Sequence, residues 1–348
     1  MTRAVAHGTA PAAPRSADVA RVAGVSRKTV SRVLNNEPYV SEEARRRVLE
    51  AAEQLGYRLN HAARALASGR SRSIGVVALG TAGYGTASLL VGIERAVRDA
   101  GYALRMVNTA DGQPEGIAGA VNSLVEQGVD GIVVSEPIVE GEVSVRIDVP
   151  LLFLGAPPAF TSARTLTAGV GAFELARAAT DHLLDLGHTT VHHLAGPRQW
   201  YASKDRTEGW RAALAARGAY EPPVIEGDWS PESGFEAGRT LAADPSVTGV
   251  FAAGDEMAIG LVHALREAGR RVPEDISVVG FDGNPVFAYV HPPLTTVRQP
   301  FDEAAREGIR LLVQAIEAPD TDLPAASEPP IELVVRGSTA PPPPHHDR

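Results

Sequence analysis

The chain has 348 residues, of which 44% are hydrophobic and 22% charged, and its formal net charge is −9. This composition is typical of a globular chain with about two or three domains and excludes a mainly disordered protein. No run reaches the roughly 18 consecutive apolar residues of a membrane helix, residues 1–15 lack the apolar core of a signal peptide, and cysteine is absent, so we expect a cytoplasmic protein without membrane contact, disulfide, metal site or cofactor.

The charge is divided unevenly along the chain. Residues 1–72 contain 13 Lys and Arg against 6 Asp and Glu, whereas residues 73–348 contain 20 against 36. A basic segment joined to an acidic body is typical of a polyanion-binding module attached to a domain that must not itself bind nucleic acid. The alternative, a flexible basic tail, would require a segment without helical apolar patterns, and this one contains three.

The basic segment predicts a helix-turn-helix unit. Helices are expected over 16–24, 26–35 and 41–56, and each begins at a serine N-cap. In the second helix the apolar residues Val30, Val33 and Leu34 share one face, which leaves the polar face free. Three helices in about 45 residues match the size of this supersecondary unit.

The polar face of the second helix predicts the contacts with DNA. Its first turn suits the major groove, where arginine, lysine and threonine side chains reach base edges or phosphates. For any single arginine the alternative is a solvated helix face, but the whole constellation with its turn favours DNA binding. The residues assigned to DNA in this unit are Ser26, Arg27, Lys28, Thr29, Ser31, Arg32 and Asn35.

Residues 18–26 (DVARVAGVS) and 29–35 (TVSRVLN) resemble the head of the lactose-repressor family of bacterial regulators. Residues 57–68 (YRLNHAARALAS) resemble the hinge helix of that family, which adds Asn60, Ala63 and Leu66 to the DNA-binding residues. Leu66 matches the position whose side chain wedges into the minor groove; the alternative is a linker residue without a partner. Family hinges usually have proline where this chain has Leu59, a departure expected to alter only the start of the helix.

A helix as short and alanine-rich as this hinge is marginal in isolation. We therefore expect it to become ordered only when two copies pair on DNA. A leucine wedge then kinks the duplex at a cost of a few kcal/mol of unstacking.

After residue 72 the pattern changes to strands that alternate with helices, which predicts doubly wound parallel sheets of the α/β class. The predicted strands are 73–79, 104–107, 131–134, 151–154, 190–194, 224–226, 249–252 and 276–281, and the stretches 294–299 and 331–336 flank the last helix. The predicted helices are an apolar stripe over 89–97 ended by Gly101, then 116–127, 171–186, 206–217, 231–242, 257–268 and 301–316. A second sheet is expected to begin near Val170.

Two such sheets resemble the two-lobed, periplasmic-binding-protein-like core that follows the hinge in this family. The segments that carry the resemblance are 194–197 (LAGP), 227–230 (GDWS), 275–282 (DISVVGFD) and 292–299 (PPLTTVRQ). The resemblance implies five domains or segments: a disordered tail over 1–15, the head over 16–58, the hinge and linker over 59–72, the core over 73–339 and a disordered tail over 340–348. Ligands of this architecture bind between the lobes, at the carboxyl ends of the strands.

Three side chains supply what a sugar needs: Arg206 carries a five-donor fork, Asp282 two acceptors, and Trp229 a ring for stacking. All three match sugar-binding positions of the family, and Gln299 and Phe301 match a polar floor and an apolar wall more weakly. The alternatives are an ion pair of Arg206 with Asp205 or Glu208 on the helix surface, and ordinary core packing for Trp229.

One departure concerns residues 254–258 (GDEMA), because the family has asparagine where this chain has Gly254. An amide that would bind sugar hydroxyls is therefore absent, so the sugar differs or binds through water. In the first lobe, Tyr84 and Gly155 fall near the expected cleft loops, but no binding role is assigned to them.

The sequence therefore predicts a repressor that binds a palindromic operator as a homodimer and is controlled by a sugar. No leucine heptad precedes the C-terminus, so the family's tetramerising coiled coil is not expected. The alternatives are a regulator with a purine or sugar-phosphate corepressor and a sugar-converting enzyme. The enzyme lacks support because the chain has no phosphate-binding Gly-x-x-x-x-Gly-Lys-Ser/Thr loop and no Gly-x-Ser-x-Gly elbow.

Overall fold

The fold is that of a computed structural model. The residues that it describes are 14–34, 38–57, 70–79, 83–109, 116–135, 138, 147–155, 164–169, 171–324 and 330–344. The chain divides into two compact units, residues 1–71 and residues 72–348. In the described ranges, no helix is both long and apolar enough to cross a membrane.

The first unit contains three helices, α1 (Ser16–Ala23), α2 (Arg27–Leu34) and α3 (Glu42–Gln54). One valine from each helix, Val19, Val30 and Val48, is fully buried in their shared core. Burial of these side chains is the main source of stability for a unit this small, because helices this short are marginal alone.

Two of the three predicted N-caps are present. The Ser26 hydroxyl accepts a hydrogen bond from the Thr29 amide at 3.0 Å, and the Ser41 hydroxyl accepts one from the Ala44 amide at 3.3 Å. The prediction for Ser16 is wrong, because Ser16 is the first helical residue and Arg15 precedes the helix. The Asp18 carboxylate accepts from the Arg15 amide at 2.9 Å, which satisfies the helix terminus from inside the first turn.

The first sheet of the second unit has five parallel strands in the order β2-β1-β3-β4-β5. Its strands are β1 (Ser73–Leu79), β2 (Ala103–Thr109), β3 (Gly131–Val134), β4 (Leu151–Leu154) and β5 (Thr165–Ala168). Two helices connect them, α4 (Tyr84–Asp99) and α5 (Gly116–Glu126). Both β3 and β4 are continuous apolar runs that are buried along their whole length, as expected when helices cover both faces of a parallel sheet.

The second sheet has six strands in the order β11-β10-β9-β8-β6-β7. Its strands are β6 (His192–Ala195), β7 (Ile225–Glu226), β8 (Gly249–Ala252), β9 (Ser277–Asp282), β10 (Thr295–Arg298) and β11 (Glu332–Val334). Its helices are α6 (Ala172–Asp185), α7 (Tyr201–Arg217), α8 (Pro231–Ala242) and α9 (Asp255–Glu267), with a 3-10 turn at Pro285–Ala288. All pairs are parallel except β10 with β11.

The chain passes between the two sheets three times. It leaves the first sheet after β5, because α6 packs in the core of the second sheet with Trp210 and Phe251. The helix α10 (Phe301–Glu317) then returns to the first sheet, where Ile309 and Leu312 pack with Ile74. The last strand, β11, lies at the edge of the second sheet. Each sheet with its helices forms one lobe, and the passages connect the lobes at the carboxyl ends of β5 and β10.

The α/β class with two doubly wound sheets is confirmed, and three details of the prediction need correction. The strand β5 was not predicted, because its sequence TLTA is an edge strand that exposes Thr165 and Thr167 and has no apolar run. The helix α7 begins at Tyr201, five residues before the predicted start, because its first turns are polar and hide the helical period. The second sheet is not wholly parallel, since β11 is antiparallel at its edge.

The predicted disordered tail from Ala340 is wrong at its first residue. The Ala340 amide donates to the Ser277 hydroxyl at 2.9 Å, and the Ala340 carbonyl accepts from Ser277 and contacts His188 Nε2 at 3.1 Å. The proline run carries no periodicity, so nothing in the sequence indicates that the residue before it, Ala340, forms hydrogen bonds with the second lobe.

Candidate functional site

The polar face of α2 is open in the first unit. Arg27 and Lys28 are exposed at its first turn, whereas Arg32 is half-buried further along. Ser26 and Thr29 are engaged with each other, with their hydroxyl oxygens 2.9 Å apart. The arrangement therefore presents two exposed cations at the first turn of a helix, held by a capped N-terminus.

The other residues assigned to DNA are placed less completely. Ser31 is exposed on the same helix. Asn35, Asn60, Ala63 and Leu66 lie outside the described residues, so their roles stay predictions.

The second unit contains a cavity of about 960 Å³ between its two lobes. All five side chains predicted to bind a ligand line this cavity: Arg206, Trp229, Asp282, Gln299 and Phe301. Gly155, which follows β4, also lines the cavity. Tyr84 is not part of the lining, although its neighbours Gly83 and Gly85 are. The cavity is at the carboxyl ends of the strands, where ligands of such folds bind.

Arg206 is held on several sides in the wall of the cavity. It is 7% exposed, and its guanidinium carbon lies 4.1 Å from the centre of the Phe281 ring and 5.1 Å from that of Trp229. One guanidinium nitrogen donates to the Ala253 carbonyl, and another lies 3.6 Å from Asp282 Oδ1. Arg206 therefore has a fixed orientation, and its ion pair is with Asp282.

The alternative of a surface ion pair between Arg206 and Glu208 is not what the structure contains, and Asp205, whose pKa burial raises and the charge of Arg206 lowers, lies in the cavity lining. Arg211 lies five residues further along α7. It forms ion pairs with the Glu208 carboxylate at 2.8 Å and with the Glu221 carboxylate at 2.9 Å. Glu208 is exposed, whereas Arg206 faces the second sheet. On the same helix, Arg211 thus belongs to a surface ion pair and Arg206 to an ion pair in the cavity.

Asp282 ends β9 in a backbone conformation with φ of 113°, which is rare for a residue with a side chain. Its Oδ1 accepts a hydrogen bond from the side-chain nitrogen Nε2 of Gln299. Burial raises the pKa of Asp282 to about 6, even though Arg206 and the Gln299 hydrogen bond lower it. Strained residues of this kind cluster at ligand sites, where the surrounding structure holds them in place.

Trp229 both packs in the core and lines the cavity, the two roles that the sequence allowed. Its ring packs edge-on against Trp200 with 5.8 Å between ring centres, and it also lines the cavity. The ring lies directly on the backbone of Gly196, since a Cβ there would come within 2.1 Å of it. Trp229 Nε1 is buried and has no hydrogen-bond partner among the described residues. Trp229 is therefore a core residue whose one face borders the cavity.

Residues of the first lobe that the sequence did not assign complete the cavity. A Cβ at Gly85 would lie 3.4 Å from the Phe301 ring and 3.5 Å from Asp282 Oδ1, so the backbone approaches both. The Tyr84 ring packs edge-on against Phe301 with 6.3 Å between centres, and the Tyr84 amide donates to Glu256 Oε1 at 3.0 Å. Glu256 belongs to the second lobe, so this bond joins the lobes across the cavity.

The GDEMA segment has two distinct roles in the structure. A Cβ at Gly254 would lie 3.7 Å from the Trp229 ring and 3.9 Å from Asp282 Oδ2, so the missing side chain leaves room beside both. Asp255 is buried and points away from the cavity, where it accepts from the Asn284 amide at 2.8 Å and from the Thr296 hydroxyl at 2.6 Å. Burial raises the pKa of Asp255 to about 8, with the charge of Asp282 as a second cause.

No group of three or more His, Asp and Glu side chains is placed to hold a metal ion in the part of the chain that the structure describes. The chemistry of the cavity is instead that of hydrogen bonding beside aromatic rings. A planar cation, a carboxylate and an amide converge next to Trp229 and Phe301, which is the donor set that binds and orients a polar ligand with an apolar face.

Each of the two units matches a known protein family. Residues 17–60 match the bacterial regulatory proteins of the lacI family, and residues 180–339 match the periplasmic binding protein-like domain. The transcriptional regulator CelR of Thermobifida fusca is 34% identical over 316 residues, which cover 87% of this chain and 92% of CelR.

Two solved structures are similar over most of the chain. The lac repressor dimer bound to operator and the anti-inducer ONPF has a TM-score of 0.77 and 29% identity, and the match covers 93% of this chain and 98% of that one. The complex of CelR with cellobiose has a TM-score of 0.67 and 31% identity, with 93% and 99% covered.

Proposed function

Since this chain belongs to the LacI family of bacterial regulatory proteins, we propose that it is a dimeric transcriptional repressor whose affinity for operator DNA is controlled by a sugar in the interlobe cavity. The observation that carries the proposal is the buried constellation of Arg206, Asp282 and Gln299 beside Trp229. These side chains are oriented before any ligand arrives, which lowers the entropic cost of binding.

A sugar fits this constellation better than an apolar ligand does. Hydroxyl groups both donate and accept, so they pair with the guanidinium of Arg206 and the carboxylate of Asp282 together. The C–H face of a sugar ring suits contact with Trp229 or Phe301. The relative CelR binds cellobiose in its solved complex, which supports the same class of ligand here.

The first unit supplies the contact with DNA. Arg27 and Lys28 are free to reach bases or phosphates of the major groove, and the capped start of α2 fixes where they point. The lac repressor is a dimer on its operator, and a two-fold dimer reads a palindromic site with one copy of α2 per half-site. A repressor of this kind works in the cytoplasm, where its operator is.

Control of DNA binding follows from linkage. A sugar shifts the DNA-binding equilibrium only by the difference in its affinity for two arrangements of the protein. Residues of both lobes line the cavity, and the Glu256–Tyr84 hydrogen bond joins the lobes across it. The affinity for the sugar therefore depends on how the two lobes are placed. We expect the sugar to release the operator, and we propose no catalytic step.

The proposal is tested in two steps. Selection from random duplex DNA with the full chain yields an operator, and a panel of sugars is then screened by thermal shift, because a ligand that binds the folded state raises its apparent stability. A sugar that stabilises the protein should release the selected operator in a gel-shift assay, and Arg206→Ala should abolish both effects. Arg211→Ala, on the same helix but paired at the surface, is the matched control and should respond like the parent.

Each other outcome has a defined meaning. A ligand that tightens operator binding would move the protein to the corepressor class. Turnover of a sugar during the incubation would indicate an enzyme. Absence of any response across the panel would count against a sugar effector while leaving the DNA-binding assignment to the selection experiment.

A further inference from the structure

The wall of the interlobe cavity carries a surplus of negative charge. Its described lining contains one cationic side chain, Arg206, and five carboxylates: Glu174, Asp205, Asp228, Glu256 and Asp282. The neighbouring Lys204 is exposed, with its ammonium group 5.5 Å from the centre of the Tyr201 ring, and does not line the cavity. The cavity therefore contrasts with sites for phosphorylated ligands, which rely on arginine and lysine.

Arg206 does not offset this surplus for a ligand. Its guanidinium is 3.6 Å from the Asp282 carboxylate, donates to the Ala253 carbonyl and has aromatic rings of Trp229 and Phe281 beside it. An anion that approached Arg206 would have to compete with Asp282 for the same charge. Two like charges at such short range in a buried site repel strongly.

Some of the helix termini at the cavity carry negative charge of their own. Parallel sheets of this kind aim the positive N-terminal ends of helices at the ligand site, which commonly attracts phosphate. The first turns of α6 and α9 contain Glu174 and Glu256, which line the cavity, whereas the first turns of α4 and α7 also line it and contain no acidic residue. The feature that favours an anion in related architectures is thus opposed at the two termini that carry a glutamate.

The carboxylates of the lining differ in how readily they ionise. The hydrogen bond from the Ser230 hydroxyl lowers the pKa of Asp228. Burial raises the pKa of Asp205 and of Asp282, and the charge of Arg206 lowers both. Asp228 therefore ionises more readily than either of these two groups.

We propose that the cavity selects against anionic ligands, so that the effector is a saccharide without phosphate or carboxylate, and that Glu256 is the main residue that sets this selectivity. The inference rests on the proposed sugar effector and narrows it. Asp282 is partly balanced by Arg206 and Gln299, whereas the hydrogen bond that Glu256 accepts in the described structure comes from the uncharged Tyr84 amide. Glu256 also reaches from one lobe to the other, so a ligand that joins the lobes must pass close to it.

The test compares matched pairs of probes by titration calorimetry on the full chain: glucose with glucose 6-phosphate, ribose with ribose 5-phosphate, and cellobiose with its aldonic acid. Any neutral sugar that binds should bind at least about tenfold more tightly than its anionic partner. In Glu256→Gln the anionic partner should gain about tenfold relative to the parent chain, because one repelling charge is removed without loss of size. Glu208→Gln, an exposed glutamate outside the cavity, is the control and should change neither affinity.

The outcomes separate the inference from the proposed function. Anionic partners that bind as well as the neutral sugars, or better, overturn the charge selectivity and leave the sugar effector in place. A tenfold preference for the neutral sugar that Glu256→Gln does not reduce overturns the role of Glu256. Failure of every member of the three pairs to bind counts against the proposed sugar effector, and the inference falls with it.

Discussion

The two units of the chain use charge in opposite ways. Around α2 the cations Arg27 and Lys28 are exposed, so this surface is completed only by a partner. In the cavity, Arg206 and Asp282 are buried and hold each other, so that site is organised before a ligand arrives. Substitution of the exposed cations of α2 should therefore change the affinity for DNA and leave the fold intact. Substitution of Arg206 or Asp282 should change both the stability of the protein and its response to the ligand.

The largest effect is expected for Arg206→Ala. Removing one partner of a buried, hydrogen-bonded charge pair should weaken sugar binding about a thousandfold. It should also lower the free energy of unfolding by about 3 kcal/mol, near the low end for such pairs, because Asp282, with a pKa already raised to about 6, can take up a proton. Calorimetry and denaturant unfolding measure the two quantities. Operator binding without ligand should be retained, and its loss would contradict the separation of the two sites.

A smaller effect, on DNA binding, is expected for Arg27→Ala and Arg32→Ala. Each should weaken operator binding about tenfold and flatten its salt dependence by about one unit of slope per lost phosphate contact. Unfolding of the second unit and sugar affinity should stay as in the parent chain. Arg46→Ala is the matched control, since that exposed arginine of α3 pairs with Glu50 at 3.1 Å. Undiminished operator affinity in both variants would contradict the prediction that α2 enters the major groove.

The hinge residue Leu66 differs from both sites, because its predicted role as a minor-groove wedge exists only in the complex with DNA. Leu66→Ala should weaken binding to the selected operator by several-fold while random DNA is bound almost as before, since a wedge enters only a specifically bound duplex. Parallel titrations of the two DNAs by fluorescence anisotropy measure the difference. Equal losses on both would show that Leu66 is a linker residue.

The last prediction concerns pH and Asp255, whose pKa burial raises from 3.8 to about 8 in the folded protein. Because the folded state holds this proton more tightly than the unfolded state, its contribution to stability is complete below about pH 4 and is lost as pH rises through 8. The free energy of unfolding that Asp255 contributes should therefore fall as pH rises between these two values. In Asp255→Asn this decrease should disappear, as measured by denaturant unfolding across that range.

The control for this prediction is Asp244→Asn. Hydrogen bonds from Ser246 lower the pKa of Asp244, so its contribution to stability is lost as pH falls and has the opposite sign. Parallel slopes in the parent chain and in Asp255→Asn would mean that Asp255 is ionised in the folded protein.

The second lobe was far more predictable than the first. Asp282 and Trp229 follow strands in segments that match a family pattern, and Arg206 is near them in the same pattern, so the sequence alone assigned all three. Their common cavity then follows from the parallel sheet, because the carboxyl ends of its strands meet at one edge.

The first lobe's part in the site depends on contacts between distant segments. The approach of Gly85 to Phe301 and the bond from the Tyr84 amide to Glu256 join residues more than 170 positions apart, and no local periodicity encodes such pairs. The strand β5 was missed for a local reason, because its alternation at a sheet edge is too short to be distinctive. Conversely, Ser26 and Ser41 were correctly predicted as caps because capping is a local interaction.

The most direct test of the account measures the dissociation constant of the active sugar by calorimetry twice, with the protein free and with it saturated by the selected operator. Since coupling between two binding sites is reciprocal, operator should weaken sugar binding by the same factor by which the sugar weakens operator binding. Equal dissociation constants with and without operator would contradict the central claim, because the cavity and α2 would then act independently.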